Sequence, residues 1–129
     1  MKVTSKINHK HISTMNSVFQ RAQVRTCDAI KSDLQQSQTL PHGDTGDLQK
    51  NIFVDDSKVK QGIVTIAHTN LSYPRRLYFH PEYNFRKDNN PKAGGMWYEP
   101  YLNGNKKKMP QITFAKFVQK EWKNVIGRY

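Results

Sequence analysis

The chain has 129 residues, 36% of them apolar, and carries 21 Lys and Arg against 10 Asp and Glu, a formal charge of +11. That length suits one domain with a modest core and is too short for two. The single cysteine, Cys27, excludes an internal disulfide and a thiolate zinc site, and no apolar run approaches a membrane span.

The low apolar share leaves little area to bury, so an exposed arm and stability borrowed from an oligomeric interface are expected. Charge is unevenly placed: twelve basic residues and four acids fall from Gln61 onward. Such a half attracts a polyanion, either nucleic acid or an acidic protein. With no cleavable leader pattern, the chain is expected to stay in a reducing cytoplasm unless it leaves inside a larger particle.

Residues 1–12 scatter Val3 and Ile7 among lysines and histidines without a period, which reads as a flexible basic arm. From Ser13, a plausible N-cap, to Ser37, Met15, Phe19, Ala22, Thr26, Ala29 or Ile30 and Leu34 recur at three- and four-residue steps. That spacing predicts a long amphipathic helix covering a sheet. Asp44 or Thr45 can cap a short helix through Gly46, Leu48 and Ile52.

Phe53 to Asp55 and Gly62 to His68 read as extended, the second alternating Ile63, Thr65 and Ala67 against Val64, Ile66 and His68. A loop around Asp56-Ser57-Lys58 joins them as a hairpin. Pro74 suits the first position of a short helix in Tyr73-Pro74-Arg75-Arg76-Leu77-Tyr78. Residues from Asn84 to Gly95 are loop by composition. Met96, Trp97, Tyr98 and Tyr101 resume an aromatic segment that Pro100 keeps from being a central strand.

Lys106-Lys107-Lys108 follows Asn103-Gly104-Asn105 at an exposed tip. Thr113 caps a final helix with Phe114, Phe117, Val118, Trp122, Val125 and Ile126 on one side, and Gly127 stops it. These elements predict an α+β fold: a small antiparallel β-sheet flanked by a long N-terminal helix and a C-terminal helix, one domain over residues 13–129.

The five histidines lack the spacing of a zinc helix, and no acidic cluster suits magnesium, so no metal or other cofactor is expected. Gly94-Gly95 lacks the Lys-Ser/Thr of a phosphate loop. Arg75, Arg76, Tyr78 and His80 could serve metal-free RNA cleavage of the toxin type. The same Tyr and Arg residues are equally what a binding interface prefers, and that reading weighs more.

Taken in order, several stretches form a recognisable series. They are Asp44-Thr45-Gly46-Asp47-Leu48 leading to Asn51-Ile52, Gly62-Ile63-Val64-Thr65-Ile66, Ser72-Tyr73-Pro74-Arg75-Arg76-Leu77-Tyr78, Asn90-Pro91-Lys92-Ala93-Gly94, and Trp97 before a C-terminal helix. The series resembles the minor capsid or tail-completion (head-tail joining) proteins of long-tailed bacteriophages of Gram-positive hosts, over nearly all the chain beyond the arm. Pro74 stands where members of that family often carry Ala.

The resemblance implies a non-enzymatic virion protein of the phage neck, made in the host cytoplasm. It implies a ring of copies, usually hexameric, between head-connector or stopper proteins and the tail terminator, around the genomic DNA and away from any membrane. Tyr73, Arg75, Arg76, Tyr78 and Trp97 are then the expected subunit or partner contacts. Lys106, Lys107 and Lys108 are expected to face acidic neighbours or DNA. The alternatives are a basic nucleic-acid-binding module and, behind it, the metal-free RNase.

Overall fold

One long helix, α1 (His9–Gln36), is the spine on which the other elements are laid. The computed structural model describes residues 9–41, 50–69, 72–85, 87, 90 and 92–126, without the side chains of residues 9, 72, 73 and 126. No Gly or Pro interrupts α1, and its 28 residues run unbroken. It ends where the Ser37 N–H donates to Asp33 O at 2.9 Å and Gln38 turns to a positive φ of 60°.

The helix starts four residues before the expected Ser13, which is therefore interior and accepts a bond from Ser17 Oγ through its carbonyl. Residues 9–12 of the expected arm are thus helical, and residues 1–8 lie outside the described residues. Its buried stripe is Val18, Ala22, Thr26 and Leu34. Met15 and Phe19, expected on the core face, are 42% and 40% exposed. Two apolar rows run side by side here, and the elements packed on α1 select the row led by Val18. Thr26 is tolerated inside because its Oγ1 donates to Ala22 O at 2.7 Å.

The expected short helix falls mostly on residues 42–49, outside the described residues, but Ile52 belongs to a strand instead. β1 (Ile52–Asp55) and β2 (Thr65–His68) form the two-stranded antiparallel sheet, with Ile52 opposite His68 and Val54 opposite Ile66 on the inward face. Phe53 and Ala67 are paired on the other face, where Phe53 stays exposed. β2 starts later than Gly62 because that glycine, at φ 79°, closes a 3-10 turn over Val59–Gln61. A hairpin this short depends on packing for stability. α1 supplies it: Gln23 Nε2 donates to Gly62 O at 3.0 Å, and Ile30 and Ile66 reach the same core.

α2 (Ser72–Tyr78) opens two residues before Pro74, which thus sits third in the helix rather than first. A loop then returns to the C-terminal end of α1, where Asn90 Nδ2 donates to Leu40 O and Gly94 N–H to Thr39 O. α3 (Glu99–Leu102) is a single turn, and α4 (Met109–Ile126) follows. α4 begins at Met109, so Thr113 is interior and caps nothing, while Pro110 occupies the first turn where its missing N–H costs little. Gly127 lies outside the described residues.

α4 packs on α1 from both flanks of that helix. Phe19 meets Phe114 with ring centroids 6.3 Å apart. Arg21 and Arg25, on the opposite flank, both donate to Glu121, at 3.0 and 2.8 Å. Contacts that swap flanks over seven residues of α4 mean that it runs across α1, near the fully buried Ala22. The core beyond this crossing is Leu34, Leu40, Ile52, Leu77, Trp97 and Tyr101. The fold is α+β: a small antiparallel sheet with a long N-terminal and a C-terminal helix.

Candidate functional site

Two segments with no regular structure in common meet at the C-terminal end of α2. Gly95 makes the meeting possible: a Cβ there would lie 2.9 Å from the carbonyl oxygens of both Leu77 and Tyr78 and 3.1 Å from Pro81 Cα. The chain then turns through Met96, at a positive φ of 52°, whose N–H donates to Tyr78 O at 3.0 Å. This hydrogen bond satisfies a carbonyl that the end of α2 would otherwise leave open. It also delivers Trp97 and Tyr98 against Tyr78.

An aromatic cluster results. Tyr78 stands edge-on to Trp97 at 5.0 Å between centroids and to Phe79 at 5.1 Å. His68, reaching in from β2, stands edge-on to Trp97 and to Tyr98, both at 5.9 Å, geometries that aromatic pairs prefer. His68 Nε2 and the Tyr98 hydroxyl are hydrogen-bonded at 2.7 Å. Among the described residues, His68 Nδ1 and Trp97 Nε1 are buried without a hydrogen-bond partner. Burial holds His68 below its ordinary value of 6.5 and pushes Tyr98 up to about 12, so both stay neutral at pH 7.

Beside the cluster lies a cavity of about 290 Å³ lined by His68, Pro74, Arg75, Tyr78, Phe79 and Trp97. Its walls are nearly all apolar. Arg75 and Arg76 are exposed at α2, and neither makes an ion pair or hydrogen bond among the described residues. Phe79, just past the helix, is 62% exposed. Phe79 is thus left open to solvent beside the cavity and the Arg75 guanidinium.

Of the residues singled out from sequence, Arg75, Tyr78 and Trp97 converge here, while Arg76 is exposed on α2 outside the cavity lining. Trp97 is only 3% exposed, so it forms the back wall rather than a protruding contact. The backbone of Tyr73 lies in α2, and its side chain is outside the described residues. The lysine tip is elsewhere: Lys106 Nζ donates to Asp33 Oδ2 at 2.6 Å, while Lys107 and Lys108 are exposed.

His68, Tyr98, Phe79 and Gly95 were not picked out as site residues. His68 was visible only as one position of an alternating strand, and nothing in the sequence shows that β2 abuts Trp97. No family model, curated protein or solved structure matches this chain.

The site holds little that moves protons. Burial pushes the Tyr78 hydroxyl above its ordinary 10, the wrong direction for a proton acceptor. His80 Nδ1 lies 2.7 Å from Glu82 Oε1, and its ring stacks on Tyr83 at 4.7 Å. Both His80 and Glu82 are largely in solvent. Among the described residues, no group of three His, Cys, Asp or Glu side chains is placed to hold a metal. What the arrangement presents is an apolar cavity with aromatic walls and, beside it, an Arg75 that has no partner among the described residues.

Proposed function

We propose that this chain is a non-enzymatic assembly subunit, a structural protein of a tailed-phage neck that forms a ring joining head connector to tail around the DNA channel. One observation carries the reading. Two of the stretches on which the sequence resembles neck proteins, Ser72–Tyr78 and the segment at Trp97, lie apart along the chain and pack together beside exposed Phe79. Ser72–Tyr78 supplies Arg75 and Tyr78, and Trp97 closes the cluster behind them.

The surface supports adhesion at a second place. Ile12, Met15 and Phe19 lie on α1 at spacings of three and four residues, so they form one apolar stripe, and each is at least 40% exposed. A small core combined with exposed apolar rows is what a subunit completed by its neighbours shows. A ring arises when such a heterologous contact closes on itself.

The test is joining in vitro. Heads and tails assembled without this protein should combine when it is added, and the Met15→Glu, Phe19→Glu double variant should restore joining poorly while keeping its helical spectrum. Full joining by that variant, or none by the unmodified chain, counts against the reading.

A further inference from the structure

We propose that the aromatic pocket receives Phe53 of a second copy of this chain, with Asp55 and Asp56 of that copy facing Arg75. The inference rests on the reading of the chain as a ring subunit in one respect: it names the subunit contact.

The cavity sets the size of the guest. Its volume of about 290 Å³ lies just below the range of roughly 300–1,000 Å³ for small-molecule sites, so it has room for one large side chain and not for a folded segment. Its walls set the chemistry. A nucleobase could stack there, but the walls are almost wholly apolar and offer its polar edges little beyond Arg75 and the Tyr78 hydroxyl. His68 Nε2 already engages Tyr98, and His68 Nδ1 and Trp97 Nε1 are buried out of reach. An apolar ring loses nothing on entering.

The rim sets the charge. Arg75 lines the pocket and has no ion-pair or hydrogen-bond partner among the described residues, so the guest should carry carboxylates beside its apolar anchor. This chain has few acids to offer. The α1 stripe of Ile12, Met15 and Phe19 has no carboxylate to bring, since residues 9–27 contain no Asp or Glu. β1 fits: Phe53 is exposed on the outward face of the hairpin, with Asp55 two residues on along the same face and Asp56 after it. The Asp55 carboxylate is held below its ordinary range by hydrogen bonding from Ser57, so it is ionised at neutral pH.

A chain cannot fill its own pocket in this way. His68 lies opposite Ile52 on the inward face of the hairpin, whereas Phe53 projects from the outward face. The two surfaces therefore differ and face apart, which makes the contact head-to-tail and able to propagate around a ring.

Cysteine cross-linking tests this in a Cys27→Ala background. Phe53→Cys protein mixed with Phe79→Cys protein should give mixed dimers on mild oxidation, and a chain carrying both should give a ladder of higher species. Leu102→Cys, at another exposed position, replaces Phe79→Cys in the control and should cross-link about tenfold less. Arg75→Asp should lower the mixed cross-link several-fold, and Asp56→Arg should restore it.

Only symmetric pairs, no excess over the control, or no effect of charge reversal overturns the inference. Oligomers that form without the Phe53–Phe79 cross-link overturn it while leaving the ring reading intact. Cross-linking by a protein that fails to join heads to tails has the opposite meaning.

Discussion

Lys106 reaches back to α1 and places its ammonium 2.6 Å from Asp33 Oδ2, the same oxygen that accepts the Tyr101 hydroxyl at 2.6 Å. Lys106 also lies 5.4 Å from the centre of the Tyr101 ring. The first lysine of the basic tip is therefore a fastener between α1 and the segment entering α4. Lys107 and Lys108 alone remain as exposed positive charge there.

Asp33→Ala should therefore destabilise the fold by about 1–3 kcal/mol, because the Tyr101 hydroxyl loses its acceptor at a buried residue. Lys106→Ala should cost less, under about 1 kcal/mol, since that pair is partly in solvent. Burial raises the Asp33 carboxyl, but the bonds from Lys106 and Tyr101 outweigh it and hold the group below its ordinary 3.8. Its contribution is thus complete above about 4 and is lost as pH falls through the lower folded value. Urea unfolding of both variants between pH 3 and 7 checks the order and the window.

Gly95→Ala should be worse than its size suggests. The added methyl meets two backbone carbonyls and a Pro81 Cα, none of which can swing aside. A loss of about 1–3 kcal/mol is expected, with Trp97 emission shifted to longer wavelength as the Met96–Tyr78 bond opens and water enters. Gly94→Ala is the control, since a Cβ there has only Lys92 O at 4.0 Å.

How far the sequence discloses this molecule depends on the scale of the feature. The long helix, the hairpin and the C-terminal helix follow from local periodicity, because burying one face of a helix or strand requires it. Their ends do not: Ser13 and Thr113 are good caps in isolation, yet the helices run through both. The row chosen on α1, Val18 rather than Met15 and Phe19, is set by α4 crossing over it, a long-range fact. Of the site, Arg75, Tyr78 and Trp97 were visible as interface-forming types, whereas Arg76, of the same type, lies outside the cavity lining. The roles of His68 and Gly95 depend on which backbone lies beside them, which no spacing reveals.

The pair formed by His68 and Tyr98 gives stability a pH profile on both sides of neutral. His68 is held below 6.5 by burial, so stability is complete above about 6.5 and falls as acid charges the imidazole. Tyr98 is pushed from 10 to about 12 by burial, so stability falls again as pH rises through that interval. His68→Gln should flatten the acid slope, and Tyr98→Phe should reduce the alkaline one, which Tyr101 and Tyr78 share because burial raises them too, while costing about 1–3 kcal/mol for the unpaired His68 nitrogen. Thermal unfolding from pH 5 to 11 reads both.

Glu121 is the carboxylate that two arginines share across the helix crossing, and Arg25 also lies 4.5 Å above the Phe117 ring. Hydrogen bonding from Arg25 is the largest influence holding Glu121 below its ordinary 4.5. Glu121→Gln should cost about 1–2 kcal/mol, and Arg25→Ala more than Arg21→Ala because it loses aromatic packing as well. Added salt should narrow the Arg21 effect most, since that side chain is the more exposed.

The most direct measurement is the solution mass of the purified chain by light scattering, alone over a range of concentrations and then with isolated head connectors. A closed oligomer of fixed stoichiometry, formed alone or on the connector, is the predicted result. A monomer that ignores the connector but binds DNA or RNA tightly would contradict the account and make the basic half the working surface.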